Sequence, residues 1–363
     1  MALLIEASSG SGLKHSVISL LPGGENRDRI KKAGGDVIEL NGRRGIAAAA
    51  IIGEVHRQVR NSRPDVVQGW MYHANAAATL AKLMGGMRYP IVWGVRQGAE
   101  QIALDRLLTR AVIRFGALMS NSPEAIVYNS ETAARGHEQI GYARAKTVII
   151  ENGVDCRRFQ PDAAARSRLL AELGLPENVL LIGRVARYAK MKDFPTLIHA
   201  FRLALERLPN AHLVMVGNGI ETQNAELIAL CKSAGCLDHM HLLGPRSDVA
   251  ALYPAFDILA SSSKANEGFP NTIAEALACG TLVATTSVGE VKLIRDGCHL
   301  VVEPSDHRQL ALGLISLLGL PVETRRALGA RGRTFIEDNF SSTRFADKFV
   351  ALYRKLGVTD PVS

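Results

Sequence analysis

The chain has 363 residues, 47% apolar, 21% charged and 5% aromatic, which is enough for two α/β domains with cores of their own. Its formal net charge of +8 is spread along the chain, with 19 Lys and Arg against 14 Asp and Glu through Asp155 and 24 against 21 beyond it. The absence of any polybasic run speaks against a nucleic-acid partner. The five cysteines, with no Cys-x-x-Cys among them, speak against a disulfide framework or a zinc site and for a reducing cytosol.

No signal peptide is expected, and the longest apolar stretches, 45–53 and 311–322, are too short to span a bilayer. The expected location is cytoplasmic. The mild basic excess of the first half permits peripheral attraction to the inner, anionic face of a membrane or to a polyanionic acceptor.

In chain order, the first half reads as strands at 17–21, 37–40, 66–69, 91–94, 125–127 and 147–150, with helical spacing between them. A Pro-, Asp- and Arg-bearing join follows near 153–161, then a Leu-rich helix at 165–173. The second half alternates more regularly. Strands are expected at 179–183, 212–216, 239–243, 256–260, 281–285 and 299–302, and helices at 194–208, 225–234 and 249–254, after 267, and from about 307. Such alternation means parallel, doubly wound sheets. The expected organisation is an N-terminal Rossmann-like domain over 1–160, a second over 161–342, and a last helix from 343 within 343–363. That helix carries Phe345, Phe349, Leu352 and Tyr353 on one face and needs an apolar surface, expected on the first domain.

The segment Glu267-Gly-Phe-Pro-Asn-Thr-Ile-Ala-Glu275 sets two carboxylates eight positions apart. Glu267 falls in the loop leaving a strand, and Glu275 about two turns into the helix behind an Asn-Thr cap. In an open α/β sheet that loop borders the ligand crevice. A helix N-terminus there offers N–H groups and a positive dipole end to a phosphate, and the carboxylates can accept from sugar hydroxyls. Arg187 and Lys192 follow the first strand of the second half, where two cations can offset a diphosphate. Arg184 and Lys190 beside them read as surface charge. Gly217-Asn-Gly219 follows a strand but lacks the third glycine of a dinucleotide loop, so a turn near the nucleotide is expected. No Asp-x-Asp occurs, so no metal-chelated diphosphate is expected.

These segments fall in an order that resembles family 4 of the retaining glycosyltransferases, of the GT-B fold. The resemblance is carried by Val148-Ile-Ile-Glu-Asn-Gly-Val-Asp155 with Arg158-Phe-x-Pro161, by Ile182-Gly-Arg-Val-Ala-Arg187 with Lys192-Asp193, and by Val214-Met-Val-Gly-Asn-Gly219. Residues 267–280 and Thr286-Ser-Val-Gly-Glu290 with Asp296-Gly297 complete it. It covers nearly all of 148–300 and implies two Rossmann-like domains facing a cleft. The implied reaction is sugar transfer from a UDP- or GDP-linked nucleotide-sugar to a hydroxyl on a glycan or lipid-linked acceptor, in surface polysaccharide or glycolipid synthesis, with no cofactor.

By the same resemblance, Arg187 and Lys192 hold the donor diphosphate, Glu275 the ribose hydroxyls, and Glu267 the transferred sugar. The backbone of Gly268, Phe269, Pro270, Asn271 and Thr272 lies near sugar and β-phosphate, with Gly217 beside the nucleotide. In the first domain, His73 is the candidate near the reacting sugar and Arg96 the acceptor-side candidate. A lone histidine is more often structural, and that reading stays open. A nucleotide-sugar epimerase and a non-catalytic nucleotide-sugar-binding protein also stay open.

The family opens with a strand and a glycine-bearing loop. Here 1–7 reads as the tail of a helix and 15–20 as the next strand, so that first strand and loop are expected to be missing. The other reading makes 2–6 the strand and 8–12 its loop. A missing central strand would leave open strand edges and exposed apolar surface.

Overall fold

The computed structural model describes residues 1–22, 26–40, 48–98, 102, 107–265, 268–294 and 298–359. The chain forms two compact units, Met1–Gly153 with Ser342–Ser363 and Val154–Ser341. The division falls ahead of the expected 160/161. Val154 bridges to Ser341, and Phe159 joins the core of the second unit, so the join already belongs there.

The first unit begins with the helix Ala2–Ala7, so the reading of 2–6 as a strand is set aside. Strands β1 (Ser16–Ser19) and β2 (Asp36–Glu39) pair in parallel as a two-stranded sheet. Strands β3 (Val67–Trp70), β4 (Ile91–Val95), β5 (Ala125–Tyr128) and β6 (Thr147–Ile149) form a separate four-stranded parallel sheet in that order. Both inner strands are buried throughout, which is why they read as unbroken apolar runs. Helices Tyr72–Gly85 and Leu107–Met119 are the crossovers from β3 to β4 and from β4 to β5. The helix Ser342–Lys355 belongs to this unit. Its Phe345, Phe349 and Tyr353, one turn apart, pack with Val92, Val127 and Ile150.

The second unit has one parallel six-stranded sheet from β7 (Leu180–Val185), β8 (Ala211–Val216), β9 (Met240–Leu242), β10 (Ile258–Ser261), β11 (Leu282–Thr286) and β12 (His299–Val302). Their spatial order is β12-β11-β10-β7-β8-β9. The chain steps outward from β7 to β9 on one side, then returns past β7 and steps outward from β10 to β12 on the other. The direction therefore reverses between β7 and β10, whose pairing sets Ile258 against Ile182 and Leu259 against Gly183. Separate apolar clusters cover the two faces. Tyr253, Phe256, Leu277 and Ile336 lie in one, and Phe194, Phe201, Leu310 and Leu314 in the other. A doubly wound sheet offers its ligand crevice at the carboxyl ends of the strands flanking such a reversal.

Candidate functional site

β7 ends at Val185 and leads into a loop carrying Arg187, a 3-10 turn Lys190–Lys192, and the helix Phe194–Leu205. Arg187 is exposed and Lys192 partly so. Arg184, by contrast, is not surface charge: it is only 2% exposed. Its Nη1 donates to Ser261 Oγ at 2.8 Å and its Nη2 to the Lys192 carbonyl at 3.0 Å. Ser262 Oγ donates to the carbonyls of Lys192 and Asp193, both at 2.9 Å. Lys264 N–H donates to Met191 O at 2.9 Å. The turn that presents Lys192 is thus tied to the strand end of β10, across the reversal point. A charged residue inside an otherwise apolar strand run was the sequence signal for Arg184; Ser262 gave none.

Gly217, just past β8, has φ of 145° and donates its N–H to Gly244 O at 2.8 Å. Its neighbour Asn218 accepts from Tyr188 N–H at 2.7 Å. Gly217 therefore sets the backbone beside the Arg187 loop.

Beyond β10, Glu267 lies outside the described residues. The helix runs Asn271–Ala278, with Pro270 and not the Asn-Thr pair at its cap and no side-chain cap bond. Glu275 accordingly sits little more than one turn in, not two. Phe269 is a core residue, 3% exposed, with its ring 5.0 Å from that of Phe340. Its carbonyl accepts from Asn271 N–H at 3.0 Å, and Gly268 O accepts from Glu290 N–H at 3.3 Å. Pro270 is buried and has no N–H to offer, while Asn271 and Thr272 reach solvent. A recess at the ends of β10 and β11 is lined by Ser261, Ser263, Thr272, Thr285 and Thr286.

Glu275 keeps some exposed surface, but its carboxyl is desolvated. Oε2 accepts from the fully buried Tyr253 hydroxyl at 2.9 Å. Burial pushes the carboxyl up to about 7, against the opposing pull of that hydrogen bond and of the positive charge on Arg158. Tyr253 as partner was not legible in the sequence. Glu290, 1% exposed in the turn Gly289–Leu293, appeared there only as part of a motif.

In the first unit, His73 is exposed in the first turn of Tyr72–Gly85, at the carboxyl end of β3. Arg96 follows β4. Its Nη1 donates to Ile150 O at 2.8 Å and Asn152 Oδ1 at 3.3 Å, and its guanidinium lies 5.2 Å from the Trp70 ring and 5.4 Å from that of Phe349. Its Nε and Nη2 are buried with no partner among the described residues, and burial lowers its pKa to about 10. These contacts make Arg96 a clasp within its own unit. Ser130 caps the helix Glu131–Gln139: its Oγ accepts from Ala133 N–H at 3.0 Å. His212, His239 and His241 gather at the β8–β9 edge, with His212 Nδ1 3.1 Å from His241 Nε2. Among the described residues no group of His, Cys, Asp or Glu is arranged to hold a metal ion.

The sequence pattern of "Glycosyl transferases group 1" matches residues 166–335, and that of "Glycosyltransferase Family 4" matches residues 2–158. A D-inositol 3-phosphate glycosyltransferase of Salinispora arenicola is 34% identical over 224 residues, 57% of this chain and 49% of that protein. The chain thus spans about half the length of that relative. A GDP-mannose-dependent monoacylated alpha-(1-6)-phosphatidylinositol monomannoside mannosyltransferase of Corynebacterium glutamicum is 30% identical over 286 residues, 76% of this chain and 70% of that protein. In fold, the chain is similar to Anabaena HepE, solved in complex with UDP and glucose, with a TM-score of 0.81 at 18% identity over 97% of this chain and 95% of that one. The fold is GT-B, with two Rossmann-like domains. The chain belongs to family 4 of the glycosyltransferases.

Proposed function

We propose that the chain is a retaining, metal-independent glycosyltransferase that moves a hexose from a nucleoside-diphosphate donor to a hydroxyl of a glycan or lipid-linked acceptor. The observation that carries this reading is the reversal point of the second sheet. Arg187 and Lys192 leave one flanking strand, and the helix bearing Glu275 follows the other. Fixed cations there stabilise the departing diphosphate without a metal. Asn271 and Thr272 open a helix whose first N–H groups suit a phosphate, and Glu275 accepts from the ribose hydroxyls. Glu267 is assigned to the transferred sugar and His73 to the acceptor side. In the step we favour, the bond from the sugar C1 to the phosphate oxygen breaks as the acceptor oxygen bonds C1 on the same face. The acceptor proton passes to the leaving phosphate. The relatives' names support a sugar nucleotide: HepE was solved with UDP, and the Corynebacterium enzyme depends on GDP-mannose. Five free cysteines suit a cytoplasmic site.

Thermal stabilisation by UDP-glucose and GDP-mannose, each against its free nucleotide, tests the donor class. A donor at a hundred times its Kd should add about 2.7 kcal/mol. Arg187→Ala and Lys192→Ala should each weaken donor binding by about tenfold or more, the value of a charge-assisted hydrogen bond. Undiminished binding in both variants would remove the phosphate assignment. Turnover separates the remaining classes. Release of UDP or GDP with a glycosylated acceptor supports transfer, an isomerised donor points to an epimerase, and binding without turnover points to a binding protein.

A further inference from the structure

Two unfavourable features of the second unit meet at one place. Among the described residues, Asp193 and Ser305 are the only ones of this unit, glycine apart, whose φ lies in the left-handed region, at 47° and 62°. A side chain raises the energy of that backbone, and such residues persist where their surroundings over-determine them. The two lie 112 positions apart in the chain and are bonded to each other: Ser305 Oγ donates to Asp193 Oδ2 at 3.1 Å. Thr196 Oγ1 donates to the same oxygen at 2.9 Å. The second unfavourable feature is Arg184, a guanidinium group buried at the end of β7. It reaches Ser261 Oγ and the Lys192 carbonyl, and it lies 5.6 Å from the Phe194 ring.

The fold alone calls for neither. Glycine at 193 would lead into the helix Phe194–Leu205 without strain. An apolar side chain at 184 would continue the buried run of β7. Asp193 makes no side-chain cap bond to its helix that would offset its conformation. What the two features share is the backbone of residues 192 and 193. Lys192 O accepts from Arg184 Nη2 at 3.0 Å. The single hydroxyl proton of the buried Ser262 is shared between Lys192 O and Asp193 O, each at 2.9 Å. Asp193 Oδ2 is held by one hydroxyl of the following helix and one of the loop after β12. The ends of β7, β10 and β12 thus converge on the backbone that carries one lysine.

We propose that Arg184, Ser262 and Asp193 are positioning residues for Lys192. They fix the root of its flexible stem, so that less freedom is lost when the ammonium group engages the donor diphosphate. They act through that backbone without touching the donor. Their role rests on the assignment of Lys192 to the diphosphate.

A double-mutant cycle on donor affinity tests it, by titration calorimetry of the full chain with UDP-glucose and GDP-mannose. Arg184→Met and Asp193→Gly should each weaken binding about fivefold, and neither should weaken it further once Lys192 is replaced by alanine. Asp193→Gly removes the strained conformation together with the ties. Its melting temperature should therefore fall little while its donor binding falls, a split that a purely structural role does not give. Asp193→Asn keeps an acceptor for both hydroxyls and tolerates the left-handed backbone, so it should retain most of the affinity. Equal losses in the wild-type and Lys192→Ala backgrounds would overturn the proposal, since Arg184 would then act by its own charge or by loosening the unit as a whole. Undiminished binding in both single variants, where Lys192→Ala itself binds poorly, would overturn it too. If Lys192→Ala binds as well as the wild-type chain, or if neither sugar nucleotide binds, the diphosphate assignment falls first and the positioning role with it.

Discussion

Glu275→Gln is expected to make the ligand-free protein more stable at pH 8 by about 3 kcal/mol, and to weaken donor binding at the same pH. The first half follows from burial. The Glu275 carboxyl is raised from 4.5 to about 7, chiefly by desolvation. A folded-state pKa above the unfolded one means that the native chain holds a proton which the unfolded chain has released. The contribution is therefore full below about pH 4.5 and is lost as pH rises through 7. Above that, the native state carries a carboxylate with little beyond the Tyr253 hydroxyl and the charge of Arg158 to offset its desolvation. Glutamine keeps an acceptor for Tyr253 and removes the charge. Denaturant unfolding from pH 5 to 8 should show a decline in the wild-type chain that is largely absent in the variant.

The second half follows from the proposed ribose contact. If the hydroxyls of a ribose donate to Glu275, the bound carboxyl must be ionised, and binding below pH 7 must release its proton. Donor affinity should then fall by up to tenfold for each pH unit below 7. Titration calorimetry in buffers of different ionisation heat would detect that proton. A donor affinity flat from pH 6 to 8 in the wild-type chain would separate Glu275 from the ribose. A residue that costs stability when empty and is repaired by ligand is the pattern expected of a binding site.

The carboxyl edge of the second sheet was legible because strand and helix alternate with clear periods, and a parallel sheet puts every strand-to-helix loop at one edge. Arg187, Lys192 and the 268–275 segment could be placed there from order alone. What the sequence hides is long-range packing. Arg184 reads like one more cation among Lys190 and Lys192, yet it donates to Ser261 Oγ and the Lys192 carbonyl inside the unit. Phe269 reads as part of a ligand loop, while its ring faces Phe340, far along the chain. The helix after Pro270 opens at Asn271 itself, so Glu275 stands four residues inside it, little more than one turn and not two. In the first unit the period of each strand was readable, but period does not say which strands pair. The separation of β1-β2 from β3-β4-β5-β6 is a matter of partners. Arg96 shows the same limit, since its place after a strand suggested a crevice residue and its contacts are with Trp70, Phe349, the Ile150 carbonyl and the Asn152 side chain.

Gly217→Ala is expected to lower the stability of the second unit by about 3 kcal/mol, and its melting temperature by about 10 °C. Two independent strains meet at this position. The φ of 145° lies in a region that residues with a Cβ rarely adopt. A Cβ would also stand 2.0 Å from the Ala186 carbonyl oxygen and 2.6 Å from its carbon. Those are backbone atoms, so no side-chain rotation relieves the clash. Ala186 is itself held by its N–H to Val216 O at 2.9 Å, and Gly217 by its N–H to Gly244 O at 2.8 Å. Relief must push the two strand-end loops apart, and Ala186 precedes Arg187. Donor binding should therefore fall further than the loss of stability alone would cause at temperatures where the variant remains folded. Gly219→Ala supplies the contrast. Its φ of 79° carries a penalty of about 1 kcal/mol, and its Cβ would stand 2.9 Å from Tyr188 Cβ, which rotation does not move either but which is a much slighter overlap than 2.0 Å at a carbonyl oxygen. Melting curves should rank Gly219→Ala well above Gly217→Ala. Equal melting temperatures would mean that the close approach of the two loops is not what fixes glycine at 217, and the link from this turn to the Arg187 loop would have to be given up.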